Sequence, residues 1–155
     1  MLKTTLGRLI HPRFGEIVRE LMNKKVKSKV SSRLRRIGVK FDAYIKHFEE
    51  IRSKRYAELA DVVIRDSYGN EQINPQTGQP LKGLSKENEQ LLIKELTELA
   101  NEEVVFPDED YLPIEDLEEC GIYLSADEQV YLDFWILPQA EIDEIKKKSN
   151  SNNNQ

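Results

Sequence analysis

Residues 28–56 read SKVSSRLRRIGVKFDAYIKHFEEIRSKRY, and within them Val30, Leu34, Ile37, Phe41, Tyr44, Phe48 and Ile51 recur at alternating steps of four and three. Side chains three and four apart overlie one another on a helix, so this spacing draws one apolar seam along a single long helix. The other positions are largely charged. Gly38 inside it costs about 1 kcal/mol relative to Ala, while each seam residue contributes roughly 1.5–3 kcal/mol when fully buried. The seam therefore needs an apolar partner.

The nearest candidate precedes it. Leu6, Leu9, Ile10, Phe14, Ile17, Val18, Leu21 and Met22 follow the same period, interrupted by Pro12, which lacks an amide donor and predicts one kinked helix or two pieces. The short Asn23–Lys27 connection then makes residues 5–60 an antiparallel helical hairpin with a long second helix. A heptad-like seam could equally be satisfied by another copy of the chain; packing within the chain is preferred because other apolar helices follow.

Past Leu59 the pattern changes. Val62–Ile64 reads as a short strand or helix end, and residues 61–84 carry two turn signals, Tyr68-Gly69-Asn70 and Asn74-Pro75-Gln76-Thr77-Gly78. Ser85 caps a further helix with Leu91, Leu92, Leu96 and Leu99 on its expected buried face. Val104–Phe106 reads as a strand ended by Pro107. An acidic run from Asp108 to Glu119 follows, with one helical turn inside it. Ser125 and Glu128 match a capping box that opens a helix through Val130, Tyr131, Phe134, Trp135 and Leu137 to Pro138. The fold class expected is mostly α with a minor β element: a hairpin covered by C-terminal helices, as a single domain over residues 1–146. Residues 147–155, rich in Lys and Asn, read as an unstructured tail.

The formal net charge of −5 conceals a division. Residues 1–56 carry +11 and the remainder −16. On the long helix Lys29, Arg33, Arg36 and Lys40 share one face, beside Lys25. The simpler reading is that the acidic half packs across this basic face. The sharper reading is that Lys25, Lys29, Arg33, Arg36 and Lys40 meet a partner, joined by Tyr131 and Trp135 if their aromatic patch is exposed rather than completing the core against the hairpin, which is the preferred reading of that patch. That partner is another protein or a second copy; nucleic acid is not favoured, because aromatic residues for base stacking do not accompany the cations.

Catalytic signals are missing. His11 and His47 stand alone, Cys120 is flanked by carboxylates that disfavour a thiolate, and the acidic run lacks the alternation and glycine of a calcium loop. No glycine-rich phosphate loop occurs. Neither metal nor cofactor is expected, and the chain reads as a non-enzyme. No apolar run is long enough for a membrane span. Residues 1–8 lack the apolar core of a signal peptide, so an intracellular protein, or one carried in or on a particle made in a cytoplasm, is expected.

The order of motifs adds a resemblance. The Lys-rich entry Val26-Lys27-Ser28-Lys29-Val30-Ser31-Ser32-Arg33-Leu34, the helix end Phe48–Tyr56, Glu102-Glu103-Val104-Val105-Phe106-Pro107, Ile114-Glu115-Asp116-Leu117 and Leu124-Ser125-Ala126-Asp127 resemble a family of small uncharacterised proteins encoded by tailed phages and prophages. The resemblance covers roughly residues 5–137. It implies a phage protein that acts by contact: a virion or assembly component, or a host- or defence-directed inhibitor of one protein target. It supplies no catalytic or binding residues.

Overall fold

The computed structural model describes residues 1–152. The elements run β1 (Leu2–Thr5), α1 (Leu6–Leu9), α2 (Pro12–Met22), α3 (Ser28–Leu59), β2 (Val62–Val63), β3 (Lys82–Gly83), α4 (Lys86–Ala100), β4 (Glu103–Phe106), β5 (Leu112–Pro113), α5 (Ile114–Glu118), α6 (Ala126–Leu132), β6 (Ile136–Leu137) and α7 (Gln139–Asn152). The protein is mostly α with three two-stranded β elements among the described residues. Where its length suggests one domain, the chain divides into two compact units. The first comprises Met1–Lys46 and the chain from Ala100 onward; the second is His47–Leu99.

In the first unit Pro12 divides the leading helical pattern into two pieces. It sits at the first position of α2, where a missing N–H is tolerated, and His11 Nδ1 caps the helix by accepting from Arg13 N at 3.2 Å. Within this unit the seam holds: Val30, Leu34, Ile37 and Phe41 are all buried. Phe41 is the hub, its ring centroid 5.2 Å from Phe14, 5.4 Å from Phe106 and 5.2 Å from Trp135. Tyr44 departs from the seam, being exposed, though its ring lies 5.6 Å from that of Phe106.

β1 pairs antiparallel with β4, Leu2 opposite Phe106 and Thr5 opposite Glu103. Alternation turns Leu2, Thr4, Val104 and Phe106 inward. The Val104–Phe106 strand is thus present, and β1, which the sequence reading did not contain, is its partner. At Gly7 an added Cβ would stand only 3.0 Å from Ala100 O, so a side chain there would require the Ala100 backbone to give by a few tenths of an ångström.

The capping box at α6 forms as read: Ser125 Oγ accepts from Glu128 N at 3.2 Å and Glu128 Oε2 accepts from Ser125 N at 2.6 Å. The helix, however, ends at Leu132 rather than reaching Pro138. Trp135 O accepts from Leu112 N at 3.1 Å, and β5 and β6 pair in parallel, so tertiary pairing takes Ile136–Leu137 out of the helical path. A second correction concerns the C-terminus. Helix α7, anchored by buried Ile142, continues to Asn152, through the Lys-rich segment read as unstructured; residues 153–155 of that tail lie outside the described residues.

In the second unit α3 continues from His47 to Leu59, with Phe48 buried and Ile51 half-buried. Arg55 clasps Glu95 of α4 through Nε (2.6 Å) and a terminal nitrogen (2.8 Å). Ser85 caps α4 by accepting from Asn88 N at 3.3 Å. Of the apolar face expected on α4, Leu92 is buried, Leu96 and Leu99 are half-buried, and Leu91 is exposed. Between the helices both turn signals are realised. Asp66 Oδ1 accepts from Tyr68 N and Asn70 N, each at 2.9 Å, and Asn74 Oδ1 accepts from Gln76 N at 2.8 Å. Gly69 and Gly78 take the positive φ those turns require, +85° and +70°.

Candidate functional site

The basic face of α3 is the feature the sequence singled out, and the first unit covers it with the acidic segment after β4. Arg36 and Lys40, one turn apart, converge on Asp110. Arg36 Nε lies 2.9 Å from Asp110 Oδ1, and Lys40 Nζ is paired with Oδ2. The Asp110 side chain is 0% exposed. A carboxylate so buried is tolerated only when paired and hydrogen-bonded. Trp135 adds a backbone tether, its indole N–H donating to Asp110 O at 2.9 Å, and Arg36 donates to Glu109 O at 2.6 Å.

Farther along the same face Arg33 pairs with Asp116 at 3.0 Å, and Lys27, just before α3, pairs with Glu119 at 2.8 Å. The Lys27 ammonium holds the Glu119 carboxyl below the usual carboxylate range and is itself raised by that hydrogen bond. Tyr111, Leu112 and Leu117 are buried beneath the segment, so it is fixed by apolar packing as well as by charge.

The proposed partner residues therefore separate. Arg33, Arg36 and Lys40 are committed to carboxylates of their own chain, while Lys25 and Lys29 stay exposed. Of the two readings of its aromatic patch, Trp135 takes the core one, and its place among the partner residues is corrected: it is 0% exposed, packed on Phe41. Tyr131 is half-buried, with its ring 5.2 Å from that of His11. The simpler reading of the charge division holds within this unit. Neutralising three of the face's cations also weakens any attraction to phosphate.

Sequence reasoning took the acidic run Asp108–Glu119 as a whole and did not single out Asp110 as its buried carboxylate. The available signal was its neighbour set: Tyr111-Leu112-Pro113 follows immediately, and an apolar triplet drags the preceding side chain toward the core. Among the described residues no three His, Cys, Asp or Glu side chains gather closely enough to share a metal ion. Cys120, half-buried, accepts weakly from Lys27 N at 3.5 Å. None of the described helices is long and apolar enough to cross a membrane. Compared with known proteins, the chain matches no family, no curated protein and no solved structure.

Proposed function

We propose that this chain is a non-enzymatic phage protein that works by contact with other proteins, as a structural or assembly component of a virion such as a head or tail adaptor or chaperone. The observation that carries the contact reading is the distribution of exposed apolar side chains. Tyr56, Val62, Ile64, Tyr68, Ile73, Leu91 and Ile93 are all solvent-exposed within His47–Leu99, and Tyr68 is 90% exposed at a turn tip. Such a concentration in one short unit supports a contact surface there, and tyrosine is among the residues that most often anchor interfaces. The phage assignment rests on the sequence resemblance alone.

The test uses cells producing the encoding phage. The protein should co-sediment with particles or with an assembly intermediate, and Tyr68→Ala with Ile93→Glu should reduce that incorporation. Recovery only in the soluble fraction, bound to one host protein, would replace assembly with inhibition of a host or defence target.

A further inference from the structure

The first unit contains a groove between α2 and α3, on the side of α3 away from the acidic segment. Its larger part, about 560 Å³, is floored by Leu9, Phe14, Val18, Phe41 and Ile45. A smaller part, about 290 Å³, lies against Val26, Leu34 and Val39. Met22, Gly38 and Asp42 border both, and the Met22 methyl occupies the place a side chain at residue 38 would fill. Gly15 also lines the larger part, and a Cβ added there would meet nothing within 4 Å. The groove is thus walled by bare helix backbone at two points and divided by one flexible, 42%-exposed methionine.

The charges on its rim are unusual for this protein. Seven arginines, at positions 8, 13, 33, 36, 52, 55 and 65, each hold a carboxylate of the chain. The remaining two, Arg19 and Arg35, hold none among the described residues. Both line this groove, Arg19 in the larger part and Arg35 in the smaller. The facing acids are Glu16, already bound by Arg13 at 3.4 Å, and Asp42; His11 completes the titratable rim.

We propose that the groove receives an amphipathic helix of a partner protein, one whose apolar stripe displaces Met22 and whose acidic side chains reach Arg19 and Arg35. From Leu34 to Ile45 the α3 wall is about 16 Å long at 1.5 Å per residue, which accommodates about three helical turns. Two guanidiniums on either side of Met22 call for two separated anions with apolar surface between them, which a helix supplies and a single-headed fatty anion does not. Asp42 favours a basic residue on the same helix. This deepens the contact reading above and rests on it, placing one partner on the first unit rather than on the exposed second unit.

The test titrates the full chain with a synthetic peptide helix bearing leucines at i, i+4 and i+7 flanked by glutamates, with the same peptide carrying lysines instead, and with dodecanoate. The acidic peptide should bind about tenfold or more tightly than the basic one. Arg19→Glu with Arg35→Glu, both at exposed positions, should reverse that order. Gly15→Leu, which fills the groove without changing charge, should abolish binding of the acidic peptide while circular dichroism stays unchanged. Equal binding of the two peptides, indifference to these variants, or binding of dodecanoate alone would each overturn the proposal. If the groove variants still enter particles normally, this inference falls while the assembly reading stands; absence of the wild-type chain from particles removes the assembly reading whatever the peptides do.

Discussion

The two units of this chain are held together by different forces. In the first, side chains from β1, α1, α2, α3, β4 and the C-terminal elements share one apolar core around Phe41. In the second, Phe48 and Leu92 alone among the described large apolar residues are buried, and directional polar contacts do the rest: Arg55 to Glu95, Asp61 to Ser85 N, and the side-chain-capped turns at Asp66 and Asn74. Burial is strong and indifferent to pH or salt, whereas exposed polar contacts are individually weak and screened. The contrast teaches where stability and adaptability reside. The second unit should exchange its amide hydrogens faster than the first.

The sharpest way to break this contrast is to remove the centre of the first core. Trp135→Ala takes away a fully buried indole and its hydrogen bond to Asp110 O, and should cost about 3–5 kcal/mol in denaturant titrations followed by circular dichroism. Next comes Asp110→Ala. Its partners Arg36 and Lys40 are 47% and 35% exposed and can regain water, so the loss should be about 1–3 kcal/mol. A cost near zero would mean that apolar packing alone holds the acidic segment on α3.

Acid should sharpen the comparison. Asp61 and Asp66 are held below the ordinary carboxylate range chiefly by backbone amides of Ser85 and Asn70, and Glu95 by the Arg55 guanidinium. A carboxyl depressed on folding stabilises the fold above its unfolded pKa of about 4, and that contribution disappears as pH falls through the lower folded value. Three such groups lie in the second unit, against one, Glu119, in the first. Trp135, the single tryptophan, reports only the first. Below about pH 4, helical circular dichroism should therefore fall before tryptophan fluorescence changes; simultaneous loss would contradict the division.

Smaller effects are local. Gly69→Ala forces a side chain into φ +85° and should cost about 1 kcal/mol, read as faster amide exchange confined to the second unit. Smallest of all is excision of residues 65–80. Ile64 N already donates to Leu81 O at 2.9 Å, so an Asn-Gly turn can close the β2–β3 pair directly, and the fluorescence midpoint of Trp135 should not move.

What was legible in the sequence was what depends on neighbours along the chain. The seam from Val30 to Phe41, the two pieces around Pro12, the capping box at Ser125 and the turns at Gly69 and Gly78 each rest on a local period or a local steric rule. What was not legible depends on partners far away. β1 spans four residues and carries no period long enough to read, and it becomes a strand only because β4 lies beside it. Ile136–Leu137 looks helical until β5 draws it into a parallel pair. Of the candidate site, the basic face and its acidic cover were anticipated, but which carboxylate would be buried was not. That depends on Trp135 reaching Asp110 O across 25 positions. Arg19 and Arg35 gave no signal, since a cation without a partner cannot be recognised before its neighbours are placed.

The ladder between β1 and β4 has a consequence for biosynthesis. Lys3 and Glu103, bridged at 2.9 Å, stand 100 positions apart. At translation speeds of about 5–20 residues per second, the first strand waits roughly 5–20 s for its complement to emerge from the ribosome. Throughout that interval the leading segment is an orphan edge, and its brevity, with Lys3 on the outward face, limits its capacity to recruit strangers.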